Sequence, residues 1–104
     1  MSFYAIIVDF LLVPGKRAEF RHLVDRNARA SSRNEAGCRH FDVLESKAEA
    51  DRVLLYEVYD DEAAFDAHVG SAHYREFERA SAPLVSNKSV IRCNLVCEGR
   101  LVGN

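Results

Sequence analysis

Apolar side chains open the chain in an almost unbroken run, with only Asp9 interrupting them between Phe3 and Val13. The run is rich in β-branched and aromatic residues and stops at Pro14-Gly15, which predicts a strand rather than a helix. Tyr4, Ile6, Val8 and Phe10 share one face of that strand while Ala5, Ile7 and Leu11 share the other, so both faces need covering. After Pro14-Gly15 the period changes. Ala18, Phe20, Leu23, Val24, Asn27, Ala28 and Ser31 recur at helical spacing, and Arg17, Arg21, Asp25, Arg29 and Arg33 lie elsewhere on the turn. This predicts an amphipathic helix of about 17 residues ending near Ser31-Ser32.

Cys38 to Ser46 reads as a second strand, with Phe41 and Val43 on one face and Cys38, His40, Asp42 and Leu44 on the other. A polar connection, Lys47 to Asp51, leads to a third strand, Val53 to Tyr59, apolar on both faces apart from Glu57. Asp60-Asp61-Glu62 places negative charge at the start of the next helix, where the helix dipole favours it. That helix runs from Ala63 to Val69, breaks at Gly70-Ser71, and resumes under a Ser71 cap to about Ala80, with Pro83 beyond its end. Ser89 to Cys97 reads as the last strand. The order β-α-β-β-α-β is the ferredoxin-like α+β arrangement, an antiparallel four-stranded sheet with helices on one face. Helices on one face leave the other bare, and a second sheet is its simplest cover. A homodimer packed sheet face to sheet face is therefore expected.

Length supports the same expectation. A chain of 104 residues is one domain, spanning 1–104 with its core roughly at 3–97. Such a domain buries about two-thirds of its unfolded surface, and an internal pocket would leave it short of core. A formal charge of −2 argues against a nucleic-acid partner. The apolar runs are too short to span a membrane, and Met1-Ser2-Phe3 lacks the basic stretch of a signal peptide. Cys38, Cys93 and Cys97 are odd in number and without CxxC spacing, so no disulfide framework or cysteine zinc site is expected and a reducing cytoplasm is the default.

The informative residues are polar ones on faces expected to be buried, because an unpartnered buried polar group costs roughly 1–3 kcal/mol. Asn27 lies on the apolar stripe of the first helix, either tying helix to sheet or orienting a ligand carbonyl or phenol. His68 follows Phe65 and Ala64 at helical spacing and faces inward, and His73 stands one turn before Phe77. Each is a satisfied core histidine or a proton shuttle, and a helix break between two inward imidazoles readily lines a cavity. His40 is a weaker candidate, and His22 reads as solvated. Glu57, a carboxylate in the middle of a strand with two apolar faces, needs a partner, with His68 or His73 preferred and Arg39 or Arg92 as ion-pair alternatives. No metal site is expected: HExxH is absent, and His68 and His73 are spaced wrongly for one face of a helix. Nucleotide-binding glycine loops and GxSxG are absent too. The arginines of the first helix read as a solvated face or as an attraction for an anionic ligand.

Glu35-Ala36-Gly37-Cys38, Phe41-Asp42-Val43, Tyr56-Glu57-Val58-Tyr59-Asp60-Asp61, Phe65-Asp66-Ala67-His68 and Ser71-Ala72-His73-Tyr74 together resemble the antibiotic biosynthesis monooxygenase domain. The resemblance covers roughly residues 3 to 97. It implies a dimeric α+β barrel with a pocket between sheet and helices, and cofactor-independent oxidation of quinols or polyketide phenols by O2. Carried onto this chain, Glu57, His68 and His73 hold the recurring catalytic positions, and Asn27, Phe41, Tyr59, Tyr74 and Phe77 line the pocket. A narrower resemblance, in Arg39 to Leu44, Tyr56 to Tyr59 and His73-Tyr74-Arg75, is to the family's isomerase branch, which acts on a phosphorylated hydroxypentanedione. It would call on His40, Arg75 and the first-helix arginines as an anion site. The haem-degrading branch fits less well, since its pocket Asn and ligand His fall near Val8 and Glu78. A small-ligand binding module without turnover is the remaining reading.

Overall fold

The structure, a computed structural model, describes residues 2–99. The expected domain ends at residues 1 and 104 lie outside them. Strands β1 (Phe3–Leu12), β2 (Cys38–Glu45), β3 (Arg52–Tyr59) and β4 (Val85–Leu95) form one antiparallel sheet in the order β2-β3-β1-β4. Helices α1 (Arg17–Asn34), α2 (Glu62–Val69) and α3 (Ala72–Ser81), the last followed by a 3-10 turn at Ala82–Leu84, complete the ferredoxin-like order.

The strands alternate as their pattern requires. Ile6, Val8, Phe10 and Leu12 of β1 and Val53, Leu55, Glu57 and Tyr59 of β3 turn toward the helices and are all buried. From α1 come Phe20, Val24, Asn27, Ala28 and Ser31, one stripe at helical spacing. Phe10, Phe20 and Phe77 meet with ring centroids 4.8 to 6.3 Å apart and anchor α1 and α3 on the sheet. The opposite sheet face carries Ile7, Leu54, Tyr56 and Ile91, with Ile91 54% and Leu44 49% exposed.

Two boundaries differ from the pattern. β4 begins at Val85 rather than Ser89, because Ser86, Asn87 and Lys88 lie on an edge strand where exposed polar side chains are tolerated. In β2 the pairing slips between Cys38 and His40, so that Arg39 bulges out. The bulge puts Cys38 on the helix side, against the core, instead of on the face of His40.

Candidate functional site

Local structure gathers the site around the break between α2 and α3. The Asp61 side chain accepts from the Ala64 N–H at 2.8 Å and starts α2. Ser71 does two things at the break: its hydroxyl donates to the His68 carbonyl at 2.6 Å and accepts the Tyr74 N–H at 3.2 Å. It thus ends one helix and caps the next, which turns His68 and His73 inward from two different axes. Spacing along a single helix keeps such residues apart; the break brings their rings to 5.9 Å.

Between them stands Glu35, the residue at which α1 stops in extended conformation. Its carboxylate takes the His68 Nδ1 at 2.9 Å and also the His73 Nε2. The Ser31 hydroxyl donates to the Asn27 carbonyl at 2.8 Å, so its lone pairs face the same two ring nitrogens at 3.3 and 3.2 Å. With only acceptors opposite them, His68 Nδ1 and His73 Nε2 carry the protons. The His68 Nε2 is therefore a free lone pair, and it points to Glu57, with Oε1 4.0 Å away. His68 itself is 1% exposed, packed among Phe41, Phe65, Tyr59 and Tyr74. Burial lowers its basicity and the Glu35 carboxylate restores part of it, so the ring is held neutral.

Glu57 departs from the expected pairing. Its bonded partner is Tyr59, whose hydroxyl donates to Oε1 at 2.7 Å; Arg39 instead pairs with Asp60, and Arg92 bonds the Tyr4 hydroxyl. Burial pushes the Glu57 carboxyl up to about 7, against the opposing pull of Tyr59 and of the Lys88 charge. Tyr59 is pushed far above its ordinary range by burial and by Glu57, so it remains a proton donor. Cys38, pushed up to about 12 by burial, is an unreactive thiol.

His68 and Glu57 border a partly open cavity of about 50 Å³, walled by Val8, Phe10, Leu55, Phe65 and Val90 and also by Asn27, Phe41, Tyr74, Phe77 and Lys88. Asn27 lines both this cavity and the groove between α1 and α3, and its side-chain oxygen is buried without a hydrogen-bond partner among the described residues. Of the residues expected at the site, His68, Glu57, Asn27, Phe41, Tyr74 and Phe77 line this cavity. Tyr59 stands behind Glu57, and His73 stands behind His68 on a separate groove between α1 and α3. His40 does not join them: pairing with Val58 places it, exposed, on the far face of the sheet.

Three participants carry weaker sequence signals. Glu35 sits outside any periodic element, just past a helix, and only its place in the Glu-Ala-Gly-Cys motif marks it. Ser31 reads as a small helix-core residue, and Lys88 lies in the stretch hidden by the misplaced start of β4. The ligating atoms of Glu35, His68 and His73 lie within 4.8 Å of one another, a donor set that could hold a divalent metal. The spacing argument against a metal therefore fails, since it assumed one helix. As built, each of the two N–H groups in the cluster already has its acceptor.

The fold is that of a ferredoxin-like α+β domain with a cavity between sheet and helices. The antibiotic biosynthesis monooxygenase family matches residues 3–80, and the chain belongs to that family. Rv0793 of Mycobacterium tuberculosis is 34% identical over 82 residues, 79% of each chain. Its solved structure superposes with a TM-score of 0.85 at 30% identity, covering 95% of this chain and 100% of that one. A Nitrosomonas europaea protein carrying the same family name superposes at 0.88 with 26% identity over 91% of each chain. PA3566 of Pseudomonas aeruginosa, at 0.85 and 22% identity over 93% of this chain and 97% of its own, shares the fold. No helix among the described residues is long and apolar enough to cross a membrane.

Proposed function

We propose that the chain is a monooxygenase that oxidises a quinol-like or otherwise enolisable small molecule with O2, His68 Nε2 being the base that takes the substrate's hydroxyl proton. One observation carries this reading: a buried neutral imidazole, held through Nδ1 by Glu35, offers its other nitrogen to an apolar cavity. Beside it the unpartnered Asn27 oxygen awaits a donor such as a second hydroxyl or the same one. Removing the proton raises the electron density of the ring, and the dry aromatic walls keep the anion from being quenched. Glu57 is the neighbouring station for the proton, and Tyr59 positions it.

For a hydroquinone the balance closes without a further reductant. Ring C–H and O2 become ring C–OH and water, while both hydroxyls become carbonyls. The substrate supplies all the electrons that O2 receives, so no external reductant is required. A cavity of about 50 Å³ falls short of the ~150 Å³ that takes a benzene ring. A ring therefore enters by displacing the exposed Lys88 and the half-buried Tyr74 at the rim.

The isomerase reading would call on His40, Arg75 and the α1 arginines, which do not line this cavity; Arg26 borders the groove that holds His73, and Arg21 is paired with Asp25 and Glu45. We further infer that two copies pair through the open sheet face. The test of the activity is O2 uptake with a panel of quinols. His68→Ala is expected to lose about a hundredfold or more of the rate, with His73→Ala also slowed; unchanged rates in both variants would reject these residues.

A further inference from the structure

We propose that the mouth of the cavity is an anion subsite, in which Lys88 holds a carboxylate on the substrate ring while the ring hydroxyl reaches His68 and Asn27. The proposal rests on the quinol reading and narrows its substrate to a ring carrying a negative substituent.

The polar groups of the lining are ordered along the cavity. Deep inside are acceptors: the orphan Asn27 oxygen, 3% exposed as a residue, and the His68 Nε2 lone pair. At the rim is the one permanently cationic side chain of the lining, Lys88, on the helix-facing side of the edge strand opposite Phe10. Its ammonium lies 5.5 Å from the Phe10 ring centroid and 6.0 Å from that of Tyr74, so the exposed side chain leans over the opening. Lys88 has no ion pair among the described residues, whereas Arg17, Arg21, Arg39, Arg52 and Arg79 all do. Its field reaches Glu57 inside the cavity. Between the two ends the walls are aromatic and aliphatic.

The complement of such a lining is a flat apolar ring with a hydroxyl donor at one end and an anion at the other. A doubly carbonyl ligand would set acceptor against acceptor at Asn27 and His68, and a neutral ring would leave the ammonium with only its cation–π contacts. A carboxylate gains a charge-assisted hydrogen bond at the rim, where it remains partly hydrated.

Hydroquinone and its carboxylated counterpart gentisate form a matched pair of probes. Both are titrated calorimetrically into the protein under nitrogen, which keeps them reduced. The wild type is expected to bind gentisate about fivefold more tightly than hydroquinone, a preference that shrinks as salt is raised. Lys88→Met should bring the two within about twofold, chiefly by weakening gentisate, and Lys88→Arg should keep the preference. The side chain is exposed on an edge strand, and both variants should melt as the wild type does. A wild type that binds the probes equally, or a preference that survives in Lys88→Met, overturns the subsite and leaves the quinol reading standing. Failure of both probes to bind the wild type at millimolar concentration overturns both.

Discussion

Glu57 and His68 lie 4.0 Å apart, and burial acts on them in opposite directions. It favours the protonated acid at one and the neutral ring at the other. The consequence for stability can be signed. Folded Glu57 keeps its proton up to about pH 7, whereas the unfolded chain gives it up near 4.5. Across that window the folded state holds the extra proton, so stability falls as pH rises, by about 3 kcal/mol in full. His68 opposes it, because its folded affinity for the proton lies below the ordinary 6.5, so its contribution grows as pH rises toward that value. Glu57→Gln isolates the first effect. Its melting temperature relative to wild type should climb between about pH 5 and about pH 8, and a constant difference would show that Glu57 titrates normally. At this scale the sequence marks His68, Glu57 and Asn27 clearly, since each is polar at an apolar position. Glu35 escapes that logic, because a carboxylate in a connection breaks no pattern; only the fold carries it between two imidazoles.

Elements, not single residues, set the distance between the imidazoles. The α2–α3 break was legible from Gly70-Ser71 before Pro83, but its effect on His68 and His73 was not, since periodicity gives directions within one axis only. The strand pattern offers His40 as a site residue; its neighbour Phe41 is the one inside, as alternation in β2 demands. The bulge at Arg39 and the early start of β4 were hidden because tertiary pairing, rather than local propensity, decides them. The docking of α2 on the turn before β2 depends on Gly37, where an added Cβ would fall 2.6 Å from the Ala64 Cβ. Gly37→Ala should cost about 1–3 kcal/mol in chemical denaturation. Adding Ala64→Gly should recover much of it; additive losses would mean that this contact is not the cause.

Among the described residues, one sheet face is left uncovered by helices, and its centre is apolar. Ile7, Leu54, Tyr56 and Ile91 form a surface continuous across β3, β1 and β4, with Leu44 beside it on β2. A second copy of the same sheet would cover it and supply the core that a chain of 104 residues lacks. Size-exclusion with light scattering should give twice the 11.7 kDa chain mass at micromolar concentration, and Ile91→Lys should shift it toward monomer. A monomeric wild type would remove the pairing and leave the face to another partner. This fold was the most legible part of the chain, because strand and helix periods are long-range repetitions of one signal. The substrate was the least legible, because a cavity wall draws single residues from every element.

The most direct measurement is the tautomer of His68, read from long-range proton–nitrogen correlations of the imidazole at neutral pH. Proton abstraction by His68 requires a neutral ring with its proton on Nδ1 and a bare Nε2, and loss of that preference in Glu35→Gln. A ring protonated on Nε2, or on both nitrogens, would leave the cavity without a base and contradict it.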